Sequence, residues 1–418
     1  MIARCIVFLI LLDHMPRLCV NLWGHLTGSF GLGEGARATA RALAAAGVRV
    51  QCRDLPLATH ANDTEIERTI SVGDEPSDFQ PAAIDLIHTN PNILFQTNGL
   101  RNTIELTAPL RIGYWAWELE AFPHGWEPGF VGLDQLWCPS SFTATSLGLR
   151  SPVPVTPLPH LPDWSRANRI RARRNQAKRP CSSFTCLFAF DLWSTVGRKN
   201  PYGVIEAFQR AFPVKTTGHS SLSDARLLLK VASAKCFPEA TEELRRCCAV
   251  DQRVSLITES LSIEGVDDLY AAADVLISLH RAEGFGLGLA EAMAAEIPVI
   301  ATGYSGNLDF MPLGSAELIA FKLVPISHAE GDYRAGRLWA DPDLDAAAAA
   351  LRRLASDRAY RQGLALAGRK AVQERLAAQR LAGIVSQRLG CLLLRAGRAE
   401  LLAALPRHHQ LRQLEQLA

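Results

Sequence analysis

DVLISLHRAEGFGLGLAEAMAAEIPVIATG, residues 274–303, combines two apolar runs, a glycine-rich bend and a short amphiphilic segment. The apolar runs 274–280 and 298–303 have the length of buried strands, and the segment 287–296 between them predicts a helix. A strand, a helix and a second strand in this order form the unit of a parallel sheet covered by helices. This stretch therefore predicts an open α/β sheet.

The same alternation precedes this stretch. Strands are predicted at 186–191, 225–231 and 254–258, and helices at 200–212, 239–249 and 264–273. From Asp343 onward the chain is rich in Ala, Leu and Arg, with helical periodicity and no strand pattern. We expect one α/β domain here, followed by helices.

The first half of the chain shows its own α/β series. A strand at 18–23 is followed by a glycine-rich stretch and by a predicted helix at 36–46. Further strands are predicted at 82–88, 92–96, 110–116, 135–140 and 153–159. The sequence thus predicts an α/β fold with two facing Rossmann-like, doubly wound domains and a ligand cleft between them.

The domain limits follow from changes in composition. The stretch 166–180 contains seven basic residues and no apolar period, which is typical of a solvated linker. We predict a disordered extension at 1–17, a first domain at 18–165, the basic linker at 166–180, a second domain at 181–390 and a helical tail at 391–418.

Length and composition describe a globular protein of two domains. The chain has 418 residues, of which 48% are hydrophobic and 21% are charged. A net charge of +2 gives no electrostatic basis for nucleic-acid binding. The ten cysteines form no C-x-x-C pair, and the apolar run inside residues 1–17 is too short to span a bilayer. We expect a cytoplasmic protein with reduced thiols.

One motif supports a dehydrogenase alternative. Gly31, Gly33 and Ala36 satisfy the G-x-G-x-x-[GA] pattern, and Asp54 follows at the distance of a ribose-binding acid. However, about seven residues separate the predicted strand from Gly31, whereas a dinucleotide-binding turn follows its strand directly. An anion site at the start of a helix and a purely structural turn are the other interpretations.

Charged residues in the second half suggest a phosphate site. Arg198 and Lys199 precede Asn200 and Pro201 at a predicted helix start, where adjacent cations can hold phosphate oxygens. Alone, such a pair usually faces solvent. In the same way, Glu283 and Glu291, at either end of the glycine-rich bend, are solvated acids unless a ligand needs both.

Together these residues carry a family resemblance. FDLWSTVGRKNPYGVIEAFQRAF (190–212) and HRAEGFGLGLAEAMAAEIPVIATGYSGNLDFM (280–311) resemble the group 1, or family 4, glycosyltransferases of the GT-B fold. Glu283 and Glu291 match the Glu-x7-Glu motif of that family, and Arg198 with Lys199 matches its basic pair. IGYWAWELEAFP (112–123) resembles a bacterial polysaccharide branch of the family.

The resemblance implies a retaining transferase that uses a nucleotide-sugar donor and no metal or other cofactor. Arg198 and Lys199 would take the charge of the departing diphosphate, together with backbone N–H groups of the motif that contains Phe285, Gly286 and Leu287. No D-x-D pair lies in a loop suited to metal binding.

The resemblance also implies roles for the acids and for nearby polar residues. Glu291 would accept hydrogen bonds from the ribose hydroxyls, and Glu283 would contact the transferred sugar. Ser305 and Asn307 follow a strand and are placed for donor contact. Glu118 is either a base or acceptor-positioning group, or a salt-bridged structural acid.

The expected partners are a GDP- or UDP-linked donor and a glycan or lipid-linked acceptor, which Gly31 and Gly33 of the first domain would face. Seven basic residues at 166–180 predict weak peripheral attraction to the inner membrane surface. A non-catalytic nucleotide-sugar-binding protein remains the third alternative, beside the transferase and the dehydrogenase.

Overall fold

Two six-stranded parallel sheets, each covered by helices, form the two halves of the protein. The computed structural model describes residues 18–57, 60, 81–96, 104–176, 183–213 and 225–405. The extension predicted at 1–17 and the end of the predicted tail, 406–418, lie outside these residues. The α/β class and the two doubly wound sheets are as predicted.

The first sheet has the strand order β2-β1-β3-β4-β5-β6. Its strands are Cys19–Gly24 (β1), Arg49–Asp54 (β2), Ile84–His88 (β3), Leu110–Tyr114 (β4), Gln135–Cys138 (β5) and Val155–Pro157 (β6). The helices of this part of the chain are Gly31–Ala45 (α1), Pro91–Gln96 (α2), Ser141–Gly148 (α3) and Trp164–Gln176 (α4).

The second sheet has the order β12-β11-β10-β7-β8-β9. Its strands are Phe184–Asp191 (β7), Ala225–Ala232 (β8), Val254–Ile257 (β9), Val275–Ser278 (β10), Val299–Thr302 (β11) and Glu317–Ile319 (β12). Counted from β7, this is the 3-2-1-4-5-6 order of the Rossmann fold, in which the order reverses between β7 and β10. Ligands of such sheets bind outside the carboxyl ends of the strands at that reversal.

Helices cover both faces of the second sheet, and an antiparallel hairpin follows it. The helices are Val196–Lys199 (α5), Pro201–Ala211 (α6), Pro238–Ala249 (α7), Ile263–Ala272 (α8), Leu287–Ala294 (α9), Leu344–Ser356 (α10), Arg358–Arg375 (α11) and Ala378–Arg395 (α12). The hairpin consists of Phe321–Pro325 (β13) and Leu338–Pro342 (β14). Among the described residues, no helix is long and apolar enough to cross a membrane.

The prediction of a solvated linker at 166–180 is wrong for its described part, because residues 166–176 belong to α4. Ala167 and Ile170 are buried against the second sheet's helices. Arginines of the same helix form ion pairs with acids, including Arg171 with Glu296 and Arg173 with Asp268. The charged composition of this segment therefore did not indicate a helix, because only two of its described residues, Ala167 and Ile170, are buried. Residues 177–180 lie outside the described part of the chain.

The prediction of a tail at 391–418 is also wrong, because α12 is one continuous helix that begins at Ala378. Leu381, Val385, Leu389 and Leu392 recur at intervals of three or four residues and are buried in the core of the first sheet. The chain therefore crosses back to its first half before residue 390.

Two local predictions in the first half also need correction. Residues 92–96 were expected in a strand but form α2, since Pro91 occupies the first helical position and favours a helix start. Helix α1 begins at Gly31 and not at Ala36, so Gly31 and Gly33 belong to its first turn.

Apolar packing joins the two halves. One buried cluster contains aromatic rings from the segment that follows β4 and from the hairpin of the second half. Its aromatic members include Trp115, Trp117, Trp126, Tyr304, Tyr333 and Trp339. The segment 112–123 is therefore a structural contact between the halves as well as a sequence signature.

Candidate active site

The topology of the second sheet brings the predicted basic pair and Glu283 together. Strand β7 ends at Asp191 and leads into α5, whereas β10 ends at Ser278 and leads into the loop of Glu283. These two strands are neighbours at the reversal of strand order. Because parallel strands end at one edge of the sheet, Arg198, Lys199 and Glu283 meet there.

A strained backbone presents the two cations. Thr195 and Asn200 flank α5 with φ angles of 61° and 56°, which non-glycine residues rarely adopt. The Asn200 side chain stabilises this geometry, since its Nδ2 donates to the Leu279 carbonyl at 2.9 Å and its Oδ1 accepts from the Gly203 N–H at 3.2 Å. Asn200 therefore fixes α5 to the end of β10 and caps α6.

Glu283 is buried and carries a negative charge. Lys199 Nζ donates to its Oε1, and Arg198 Nη1 lies 3.5 Å from its Oε2. Burial alone would raise the pKa of Glu283, but the two cations outweigh it and lower the pKa to about 2. At neutral pH this carboxylate therefore accepts hydrogen bonds and cannot donate a proton.

Arg198 connects the two halves of the protein. It is 3% exposed, and its Nη1 donates to the Ala282 carbonyl at 2.8 Å. Its Nη2 lies 3.7 Å from Glu118 Oε1 of the first half. Burial opposes the charged guanidinium, but Tyr333, Glu118 and Glu283 outweigh it and raise the pKa of Arg198. The guanidinium thus stays protonated although it is buried.

Glu118 has two partners in the second half of the chain. Besides its contact with Arg198, it accepts a hydrogen bond from the Tyr333 hydroxyl at 2.8 Å. Both carboxylate oxygens are therefore engaged. Of the two predicted interpretations, these contacts favour a salt-bridged structural acid over a base or acceptor-positioning group.

Glu291 lies in a separate group of charges. Its Oε1 accepts from Arg166 Nη1 at 3.1 Å, and Arg166 Nε in turn donates to Asp267 at 2.7 Å. Burial raises the pKa of Glu291, and the nearby charge of Glu34 from α1 adds to this effect, while Arg166 opposes it. The first turn of α1 and this acid are therefore electrostatic neighbours across the two halves.

The loop after Glu283 ends at the N-terminus of α9, the helix that contains Glu291, and this N-terminus has no side-chain cap. Gly286 precedes α9 with a φ of 94° and offers no side chain to cap the first N–H groups of that helix. Leu287 is half-buried. The ring of Phe285 is buried between His160 and Phe310, at centroid distances of 5.0 and 4.8 Å. Only the backbone of Phe285 is therefore left for a ligand.

Ser305 and Asn307, which were predicted to contact a donor, make structural contacts at the carboxyl edge of the second sheet. Ser305 Oγ accepts from the Glu283 N–H at 2.8 Å, and the Gly306 N–H donates to the Glu283 carbonyl at 2.9 Å. Asn307 is fully buried and its Nδ2 donates to the Thr302 carbonyl at 3.1 Å. The Ser305 side chain thus positions the Glu283 loop, and the Asn307 side chain holds its own segment to the end of β11.

The two glycines of α1 differ in what they allow. A Cβ on Gly33 would lie 2.2 Å from the Gly28 carbonyl oxygen, so only glycine fits, whereas a Cβ on Gly31 would meet open space. Asp54, the acid of the dehydrogenase alternative, accepts from both the N–H and the hydroxyl of Thr27. These contacts make Asp54 a loop anchor and weaken that alternative.

Sequence reasoning missed two side chains of this site. Tyr333 reaches Glu118 from the connection between β13 and β14, and no motif marks it. Arg166 was assigned to the linker, although it pairs with Glu291. The spacing of Ala167 and Ile170 within the basic run was the available signal that this segment is helical.

Comparison with known proteins gives one family and one fold. A profile of the family described as "Glycosyl transferases group 1" matches residues 195–357. No curated protein sequence matches the chain.

Solved structures share the fold along nearly the whole chain. Sucrose-phosphate synthase from Thermosynechococcus elongatus is 17% identical, with a TM-score of 0.60 over 91% of this chain and 100% of the other. A glycosyltransferase from Rickettsia africae is 10% identical, with a TM-score of 0.60 over 91% and 99% of the two chains. Anabaena HepE, in complex with UDP-glucose, is 12% identical, with a TM-score of 0.60 over 90% and 100%. At these identities the likeness concerns the fold.

Proposed function

We propose that this chain, a GT-B protein whose residues 195–357 are those of a group 1 glycosyltransferase, transfers a sugar from a nucleotide-sugar donor with retention of anomeric configuration. The solved structures confirm the fold that the sequence resembles, and the profile match over residues 195–357 supports the family. The observation that carries the proposal is the meeting of Arg198, Lys199 and Glu283 at the reversal of strand order in the second sheet.

The cations would serve the departing diphosphate. Lys199 is paired with Glu283, and burial lowers the pKa of Lys199 while Glu283 opposes that effect. A diphosphate beside this pair would offer Lys199 a more highly charged partner, and the bare N-terminus of α9 at Gly286 would add N–H donors. The charge that develops on the leaving group would thus be met by protein groups, and we propose a metal-independent reaction.

Glu283 would address the transferred sugar. Its carboxylate is ionised, so it can accept hydrogen bonds from sugar hydroxyls and face the positive charge that develops at the anomeric carbon. Two cations compensate its charge, which weakens it as a nucleophile. We therefore favour attack of the acceptor on the same face, with the leaving phosphate oxygen taking the acceptor's proton.

The donor and the acceptor are proposed by chemical class. Glu291 would accept hydrogen bonds from the ribose, with Arg166 holding the acid in place. The first turn of α1, with Gly31 exposed, would face a glycan or lipid-linked acceptor. The complex of HepE with UDP-glucose supports a UDP-linked donor, and a GDP-linked donor is the alternative.

Membrane attachment through the basic helix is a weaker proposal. In α4, Arg166, Arg171 and Arg173 are paired with acids of the second half. Arg169 lies 4.0 Å from Asp267, and its side chain is 53% exposed. We propose a weak, salt-sensitive peripheral association of a cytoplasmic protein with anionic lipid. Cosedimentation with anionic vesicles tests this, and no binding at low salt would remove it.

Ligand-dependent thermal unfolding tests the proposed function. We expect UDP or GDP to raise the midpoint of unfolding and NAD to leave it unchanged, because Asp54 is occupied by Thr27. A panel of nucleotide sugars with mass detection of the released nucleotide then identifies the donor. Stabilisation by NAD alone would support a dehydrogenase, and nucleotide binding without turnover would support a binding protein.

Replacing Lys199 with alanine should weaken diphosphate binding selectively. One charge-assisted hydrogen bond is worth about 1.5–3 kcal/mol, so we expect the Kd for UDP to rise about 10- to 100-fold while the Kd for uridine stays the same. Calorimetric titration measures both constants. Lys235→Ala, at an exposed lysine of the same half, is the control. Equal affinities of parent and Lys199→Ala for UDP would contradict the phosphate role.

Replacing Glu291 with glutamine should weaken the nucleoside part of the ligand. An amide offers one acceptor oxygen where the carboxylate offers two, so we expect Kd values for UDP and uridine to rise together by about tenfold. Glu296→Gln is a matched control, since Glu296 also pairs with an arginine of α4. If both variants lose affinity equally, the effect comes from α4 and the ribose role is wrong.

A further inference from the structure

The connection between β13 and β14 extends from the second half of the chain to the first. Glu330 and Tyr333 form an isolated antiparallel bridge within this connection. Asp332 accepts a hydrogen bond from Asn92 of the first half at 2.6 Å. Glu330 accepts a hydrogen bond from the Gly197 N–H at 3.2 Å. Gly197 belongs to α5, the helix that contains Arg198 and Lys199. The connection therefore contacts both the first half and the cation-bearing helix.

Tyr333 occupies the centre of these contacts. It is buried, and its ring stacks on Trp117 with centroids 5.4 Å apart and an interplanar angle of 13°. The Arg198 guanidinium lies 5.7 Å from the centroid of the Tyr333 ring, within reach of a cation–π attraction. The Tyr333 hydroxyl donates to Glu118 Oε2 at 2.8 Å. One side chain thus touches the guanidinium and also the acid that faces it.

The orientation of Arg198 depends on few contacts. Its Nε makes no hydrogen bond with any of the described residues, and its distances to Glu118 and Glu283 are 3.7 and 3.5 Å. These are ion-pair distances and not close hydrogen bonds. Within the described part of the chain, the close hydrogen bond of this guanidinium is that of Nη1 to the Ala282 carbonyl. Glu118, fixed by the Tyr333 hydroxyl, supplies the charge that holds the other Nη atom.

We propose that Tyr333 is a positioning residue of the transfer reaction, which orients Arg198 by fixing Glu118 through its hydroxyl. The proposal rests on the glycosyltransferase function proposed above. Tyr333 acts only where the two halves meet, so Arg198 has its working orientation only when they are in contact. Through Arg198, the Tyr333 hydroxyl helps to stabilise the negative charge that develops as the leaving group departs. Its effect on the affinity for the donor in the ground state is much smaller.

The test is the Tyr333→Phe variant, which keeps the stacked ring and removes the hydrogen bond to Glu118. We expect kcat to fall about tenfold or more, with KM for the donor within about twofold of the parent, since the contact is exercised in the transition state. Tyr304→Phe is the matched control, because the Tyr304 hydroxyl also donates to a first-half acid, Glu120 at 3.2 Å, away from Arg198. The control should keep the parent's kcat.

A double-variant cycle separates positioning from folding. Glu118→Gln should lower kcat as well, and combining it with Tyr333→Phe should cost little more than the larger single effect, because both act through Arg198. A double variant whose kcat is reduced by the product of the two single reductions would overturn the proposal, because the two side chains would then act independently. So would an unchanged kcat in Tyr333→Phe, an effect confined to KM, or an equal loss in Tyr304→Phe. A parent that turns over no nucleotide sugar would overturn the proposed function and this inference together, whereas an active parent with an unaffected Tyr333→Phe variant overturns this inference alone.

Discussion

Glu283→Gln should lose about three orders of magnitude in kcat while binding UDP at least as tightly as the parent. The variant keeps the shape of the side chain and removes the charge that would face the developing positive charge on the sugar. Losing one preorganised electrostatic contact of this kind typically costs about 10²–10³ in rate. UDP affinity should not fall, because Arg198 and Lys199 then lack their shared counter-charge and are free for the diphosphate.

In Glu283→Gln, a lower kcat with an undiminished affinity for UDP separates a role in the transfer step from a role in nucleotide binding. Steady-state turnover of the donor found in the panel, together with calorimetry of UDP, measures it directly. Glu206→Gln, at an exposed acid on α6, is the control and should change neither quantity. A variant that turns over like the parent removes Glu283 from the reaction. A variant that loses UDP binding shows instead that Glu283 holds the nucleotide.

The shape-preserving substitution matters because Glu283 also contributes to stability. Its side chain is 11% exposed and compensates two cations, so both substitutions remove the counter-charge. Glu283→Ala also removes the oxygen that accepts from Lys199 Nζ and leaves a cavity, whereas Glu283→Gln keeps an acceptor oxygen and the side-chain volume. Breaking a buried ion pair by removing one partner costs about 3–5 kcal/mol. Loss of activity in the alanine variant would therefore mix unfolding with chemistry.

The second half could be predicted well because its signals are local. Strands β7 to β11 are short apolar runs separated by helices with one apolar face, and each appears near its predicted place. The basic pair, Glu283 and Gly286 follow strand ends, and the ends of neighbouring parallel strands meet. The positions of these residues after successive strands were therefore enough to predict that they lie close together.

The errors lie where tertiary contacts override local composition. Helix α4 has the composition of a solvated linker because few of its residues are buried and its arginines are neutralised by acids 95 to 125 positions away in the sequence. Helix α12 looks like a tail because nothing local shows that it packs on the first sheet. Tyr333 lies 215 positions from Glu118 in the sequence, so no spacing rule links the two.

Arg198→Met should lower both stability and turnover, and its effect on stability should depend on pH. Removing the guanidinium leaves Glu118 with the Tyr333 hydroxyl and leaves Glu283 with Lys199 alone. We expect the free energy of unfolding at neutral pH to fall by about 3–5 kcal/mol, the typical cost of breaking a buried ion pair. Urea denaturation measures it, and Arg210→Met, at an exposed arginine, is the control. Equal stability of parent and Arg198→Met at neutral pH would contradict the role of this buried pair.

The sign of the pH dependence follows from the depressed pKa of Glu283. In the parent, its folded pKa of about 2 lies below the ordinary value of 4.5, so the stability it contributes is present above pH 4.5 and is lost as the pH falls towards 2. In Arg198→Met one of the two cations is missing, so the pKa of Glu283 lies closer to 4.5 and less stability is lost on acidification. The difference in stability between parent and variant should therefore narrow between pH 4.5 and 2. A constant difference across this range would show that Arg198 stabilises the fold through packing and not through the charge of Glu283.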